Sequence, residues 1–199
     1  MRVLLLFAHP DLEKSRVNRR MIREVQGLPG VTFHDLYEAY PDFDVDVRRE
    51  QGLLTRHDLV VMQHPFYWYT VPPLVDQWKI AVLTHGWAYG AGGDALRGKT
   101  WLSAITTGGS DASYRRDGLN RFTIRELLTP LEQAVYQCGM DFLPPFVVHG
   151  TYQITPSEVE SAALDYRRAL EALRDGRLDL EAARGYPLLN ANLDRLLRG

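Results

Sequence analysis

Three short stretches of this 199-residue chain carry side chains that could do chemistry, and each stands just after an apolar run. The first is Ala8-His9-Pro10, followed by a polar turn over 11–14 and then Ser15-Arg16-Val17-Asn18. Pro10 biases His9 away from helical geometry, so the chain stays extended up to the turn. Ser15 is a good N-cap, and behind it Val17, Met21, Val25 and Leu28 recur at the spacing of one helix face. Free N–H groups at a helix start, together with the positive end of its dipole, favour an anion at the end of the strand. The stretch alone suits a phosphate cradle and an ordinary capped helix equally well.

The second stretch is Gln63-His64-Pro65-Phe66-Tyr67-Trp68-Tyr69, followed by Pro72-Pro73. So many rings in one turn need a flat apolar partner. That partner is the next helix, another subunit, or a planar ring system bound at the carboxyl edge of a sheet, where open α/β folds take their ligands. The third is Thr106-Thr107-Gly108-Gly109-Ser110, with Tyr114 beyond it. Two hydroxyls and two glycines at a strand end let a ligand approach the backbone and give it donors and acceptors.

Other patterns are weaker. Gly93 to Thr100 fits the phosphate-binding P-loop spelling, ending Gly98-Lys99-Thr100. A P-loop must follow a strand and open a helix, whereas here a glycine-rich stretch precedes and 101–106 reads as a strand. Lys99 is therefore expected on the surface of a turn. Asp42, Asp44 and Asp46 alternate as in a calcium loop, but the sixth position is Val47 and the twelfth Leu53, which fails that pattern. Cys138, the single cysteine, lies in an apolar helical stretch and reads as buried packing. One cysteine also excludes an internal disulfide, and no metal site is expected.

The elements that must position these turns follow from periodicity. Strand-like runs cover 3–8, 31–37, 58–63, 101–106 and 141–148, the last interrupted by Pro144-Pro145 and so expected at a sheet edge. Helical patterns fall behind Ser15, over 48–56, 74–83 and 122–139, where Pro130 kinks or splits the helix, and after Thr155. Five strands alternating with four or five helices make an α/β fold, a doubly wound five-stranded parallel sheet. In the order 2-1-3-4-5 the turns after the first, third and fourth strands are neighbours. A phosphate cradle, an aromatic wall and a polar edge then share one site, which suits a mononucleotide with a planar ring, FMN better than a nucleoside triphosphate. The division expected is a domain over 1–175 and an extension over 176–199 that packs on it or on a partner and carries leucines but no evident chemistry.

Hydrophobic residues at 45% and charged residues at 24% are ordinary globular values. A net charge of −2 gives no electrostatic case for nucleic acid. No stretch approaches the roughly 18 apolar residues of a membrane span, so a cytoplasmic protein acting on small molecules or proteins is expected.

The motifs taken together resemble the flavodoxin-like NAD(P)H:quinone reductases. Within that group Tyr40-Pro-Asp-Phe, His85-Gly-Trp-Ala-Tyr-Gly, Cys138-Gly-Met and Leu143-Pro-Pro-Phe are similar to the bacterial ancillary proteins of glutathione-regulated potassium efflux. The resemblance implies FMN as cofactor, NADH or NADPH as co-substrate, and a quinone as acceptor. It also implies a homodimer with sites at the interface and docking on a membrane potassium efflux antiporter, hence a peripheral place on the inner face of the membrane. By the same resemblance His9, Ser15, Arg16, Val17 and Asn18 hold the phosphate and ribityl end. Pro65, Phe66, Tyr67 and Trp68 flank the ring, and Thr106, Thr107, Gly108 and Gly109 bond its polar edge. Tyr114 stabilises the charge of reduction, and Asn120 stands where some quinone reductases carry a histidine, which it cannot replace as a proton carrier. The alternative is a regulatory subunit that binds FMN or a nucleotide for stability and works by docking; an NTPase is the weakest reading.

Overall fold

A computed structural model describes residues 1–197. Strands β1 (Val3–Phe7), β2 (Val31–Asp35), β3 (Leu59–Pro65) and β4 (Thr100–Thr106) pair in parallel in the order β2-β1-β3-β4. The fifth strand arrives in two pieces, β5 (Asp141–Phe142) and β6 (Phe146–Val148), both parallel to β4. Pro144 and Pro145 have no N–H to give the ladder, which breaks the expected single strand into two, so among the described residues the sheet has six strands where five were expected. The fold is flavodoxin-like, with the order expected from the pattern.

Helices cover both faces, because the central strands are apolar on both. On one face lie α1 (Arg16–Val25) and, near the end of the chain, the long α7 (Pro156–Asp175). Val17, Met21 and Val25 of the first and Val159, Ala163, Tyr166 and Leu170 of the second pack with Val3 and Leu5. On the other face lie α3 (Val47–Arg56), α4 (Pro73–Val82), and the pair α5 (Ile124–Leu127) and α6 (Thr129–Gln137), packed with Leu4 and Leu6. The expected 122–139 helix is split one residue before Thr129-Pro130, as a proline in that register requires. The strand expected over 31–37 is shorter, since Asp35 caps a one-turn helix α2 (Leu36–Ala39) by accepting from the N–H groups of Tyr37 and Glu38.

The last segment continues the core. Beyond α7, Leu178, Leu189 and the short helices α8 (Leu180–Ala183) and α9 (Leu193–Leu196) bury their apolar residues in the same cluster as α7. Asn190 accepts from the Val147 N–H and donates to the Val147 carbonyl, both at 2.9 Å, so the tail hydrogen-bonds β6. Among the described residues no helix is long and apolar enough to cross a membrane.

Candidate functional site

The turns after β1, β3 and β4 converge, as the strand order demands, and the loop after β6 joins them. Together they line a cleft of about 630 Å³ that includes His9, Ser15, Arg16, Pro65, Tyr67 and Thr106. A neighbouring cleft of about 290 Å³ shares Tyr67 and is lined by Phe66, Trp68, Gly109, Tyr114 and Asn120. The site is thus one continuous sheet edge with two kinds of lining.

The first end offers hydrogen-bond donors. The Asp11 N–H donates to His9 Nδ1 at 3.1 Å, so neutral His9 carries its proton on Nε2 and can donate it. Burial lowers the His9 pKa, with Asp11 pulling it up less, which keeps the ring neutral. Ser15 caps α1 by accepting from the Asn18 N–H at 3.2 Å and keeps its own O–H to give. The N–H groups of Arg16 and Val17 open the helix and have no acceptor within it. Val17's side chain is in the core, so only its backbone serves the site.

Asn18 sits beneath this end. Buried at 1% exposure, it donates to Ser15 Oγ and to Thr106 Oγ1 and accepts from Gln63 Nε2 at 3.1 Å. Its side chain ties the start of α1 to the ends of β3 and β4, and so fixes the floor of the cleft. Arg16 has a similar bracing role, donating to the carbonyls of Thr151 and Ile154 in the loop after β6.

The aromatic turn is a tight hairpin. Thr70 N–H donates to the Tyr67 carbonyl at 2.9 Å, while Trp68 (φ 46°) and Tyr69 (φ 65°) both occupy the left-handed region. Two bulky residues at positive φ store roughly 1–2 kcal/mol each, strain that a folded protein keeps where the side chains are needed in that place. Phe66 is buried, its N–H donating to the Thr106 carbonyl and its ring tilted against Tyr114 at 6.3 Å. Tyr67 is half-exposed between the clefts, with its ring edge-on to His9 at 6.1 Å, and Trp68 is 90% exposed. Tyr69 donates from its hydroxyl to Asn120 Oδ1 at 3.1 Å, which places Asn120 on the aromatic turn.

The polar edge follows β4. Thr107 donates to the Gly109 carbonyl at 2.8 Å, and its oxygen lies 3.0 Å from His149 Nδ1. Gly108 is closely approached: a Cβ there would lie 2.5 Å from the exposed Tyr152 ring, which would have to move. Burial raises the Tyr114 pKa, so the phenol keeps its proton at neutral pH and can donate it.

The loop after β6 was missed from sequence. Thr151 and Tyr152 line the larger cleft and His149 stands behind it against Thr107, yet the prolines of the fifth strand read only as an edge. The order 2-1-3-4-5 itself carried the signal, since it sets the turn after strand five beside the turn after strand four. The P-loop spelling fails in space as it did in context. Thr100 opens β4 and not a helix. Lys99, expected on the surface, is partly buried and donates to the carbonyls of Thr55 and His57, tying α3 to the sheet. Cys138 is buried in the core, as expected, and burial raises its pKa.

The Flavodoxin_2 model, described as a flavodoxin-like fold, matches residues 1–173. The glutathione-regulated potassium-efflux system ancillary protein KefF of Klebsiella aerogenes is 43% identical over 168 residues, 84% of this chain and 94% of that one. Among solved structures, general stress protein 14 of Treponema denticola, in complex with FMN, aligns with a TM-score of 0.83 and 40% identity, covering 87% of this chain and 99% of that one. An NADPH-quinone reductase from P. pentosaceus aligns with a TM-score of 0.77 and 30% identity, covering 85% and 97%. Sheet order, site placement and these likenesses agree that the chain belongs to the flavodoxin-like family.

Proposed function

We propose that this protein is an FMN-dependent NAD(P)H:quinone oxidoreductase. One observation carries the reading: a donor-rich end suited to a phosphate and an aromatic turn suited to a planar ring line two adjoining clefts that share Tyr67. The quinone reductase and the FMN complex among the similar structures support it. Bound FMN would supply the redox chemistry, accepting a hydride from NADH or NADPH and passing it to a quinone. In this reading His9 Nε2–H, the Ser15 hydroxyl and the first N–H groups of α1 hold the phosphate, with Arg16 and Asn18 keeping them in place. Pro65 to Trp68 wall the ring, and the backbone and hydroxyls of 106–109 bond its edge. Tyr114 donates toward the negative charge of reduction, and Asn120 holds the aromatic turn through Tyr69. The protein's share is orientation and electrostatics.

A second reading, that of a regulatory subunit docking on a potassium efflux antiporter, is favoured by the likeness to KefF. The two are compatible in a cytoplasmic homodimer that seats on the inner face of the membrane, with the exposed Trp68 near a subunit or partner contact. Purified protein with bound or added FMN should show a flavin spectrum and turn over NADH or NADPH with a simple quinone. One pocket used in turn gives parallel double-reciprocal lines; intersecting lines would sink the two-step scheme. FMN binding without turnover would leave the docking reading alone.

A further inference from the structure

Behind Tyr114 lies a separate cavity of about 230 Å³ lined by Asp111, Arg115, Arg125 and His149, with Pro187 and Leu188 of the tail closing it. The rings of Tyr114 and His149 stand 5.6 Å apart. Counting protons in this cluster leaves one place unfilled. The Thr107 hydroxyl has a single proton and gives it to the Gly109 carbonyl, so its oxygen accepts from His149 Nδ1. The neutral ring therefore carries its proton on Nδ1, and Nε2 is a bare acceptor. That Nε2 is buried without a hydrogen-bond partner, 3.8 Å from Asp111 Oδ1. Two acceptors facing each other repel while the ring is neutral and attract once Nε2 is protonated.

We propose that His149 is a positioning residue that binds one proton at Nε2, toward Asp111, when negative charge enters the cleft, making it the redox-linked proton site of this protein. The inference rests on the FMN-dependent reading above. A hydride adds one negative charge to the cleft, and one proton taken from solvent past the exposed Asp111 balances it. When the hydride leaves for a quinone, His149 releases its proton, and a quinone needs one proton besides the hydride to become a hydroquinone. Thr107, 1% exposed, touches His149 with its oxygen, and the His149 ring stands directly against that of Tyr114.

The surrounding charges permit this. On the turn holding Asp111, Arg115 pairs with that carboxylate at 2.6 Å, and on α5, Arg125 is held by Glu132 at 2.7 Å. Tyr114 faces the ring uncharged, and among the described residues the tail contributes Pro187 and Leu188. Burial lowers the His149 pKa and Asp111 raises it less, so the resting ring is neutral and its proton site is available.

The test uses the FMN-loaded protein and two variants. His149→Gln keeps an amide N–H for Thr107 and cannot titrate; Asp111→Asn keeps the shape and removes the charge. The midpoint potential is followed spectroelectrochemically from pH 5 to 8, and the cofactor-free protein is titrated by NMR with labelled histidine. The expected result is that wild type takes up more protons per electron pair than His149→Gln at the low end of this range, with FMN still bound to both. Asp111→Asn should weaken the proton affinity of His149 about tenfold. Equal pH dependence of the potential in wild type and His149→Gln overturns this inference alone. So does a His149 titration indifferent to Asp111→Asn. Failure of the wild type to bind FMN overturns the functional reading and the redox role of His149 with it, while the NMR titration would still report the Asp111 coupling.

Discussion

At the scale of single residues, the site divides into groups that face the cleft and groups that hold them. Asn18 spends its amide on Ser15, Thr106 and Gln63, whereas Tyr114 lines two cavities with its phenol. Replacing Tyr114 by Phe should therefore slow reduction of bound FMN by NAD(P)H roughly 10- to 100-fold while FMN affinity changes little, because only a donor toward developing charge is lost. Stopped-flow reduction and a fluorescence titration separate the two effects; unchanged reduction with lost FMN would reverse the assignment. Gly108→Ala meets an exposed ring, not backbone, since the neighbour is Tyr152 at 87% exposure. Tyr152 should swing away, leaving the melting temperature within a few degrees of wild type. FMN affinity should change measurably, because that ring lines the cleft. A collapse of stability would show that Tyr152 is held more firmly than its exposure indicates.

Among elements, the tail matters most beyond expectation. Its leucines bury against α7, and Asn190 satisfies both backbone groups of Val147, which β6 would otherwise leave open at the sheet edge. Asn190→Ala should lower stability by about 2 kcal/mol through the two unpaired groups, read as a shifted urea midpoint with unchanged slope. A change within a few tenths would mean that water replaces the amide fully. The start of α7 shows the opposite balance of local and distant causes. Thr155 accepts from the Glu158 N–H while the Glu158 carboxylate accepts from the Thr155 N–H, a reciprocal cap set by residues three apart.

For the whole molecule, two buried ionisable groups shape the response to acid. Glu50, fully buried, accepts from the Tyr40 hydroxyl, the Trp78 indole N–H and His34 Nε2 and so joins β2, α3 and α4. Burial pushes its pKa up, but these hydrogen bonds outweigh it and leave it lower than usual. Its contribution is full above the ordinary carboxylate value and is lost as pH falls through the lower folded value. His64 acts in a higher window. Fully buried, its pKa is held down to about 4 by burial, with the Pro65 carbonyl opposing. The unfolded chain takes a proton near 6.5 and the folded one does not, so stability should fall by about 3 kcal/mol from pH 6.5 to 4. His64→Gln should flatten the loss between pH 6.5 and 5 while leaving the steeper loss below 4.5, as measured by urea unfolding across that range. An identical profile would exclude His64 as the cause.

Much of this protein was legible in its sequence because the information is local. Apolar runs of strand length, Ser15 and Thr155 as caps, and the prolines at 130, 144 and 145 act on their own neighbours, so periodicity and backbone sterics placed the elements and the alternating pattern placed the three turns on one edge. The same reasoning stopped at contacts between residues far apart in the chain. That Thr107 meets His149, that Arg16 braces the loop at 151–154, and that Asn190 closes β6 depend on which strands lie side by side and in what register, and no spacing in the chain encodes the distances. The tertiary structure decided which residues of the loop after β6 reach the cleft, Thr151 and Tyr152, since strand order sets the loop's neighbours but not its side-chain contacts. It also decided that Glu50, a charged residue in an amphipathic helix pattern, is a buried acceptor, because its three donors come from three separate elements.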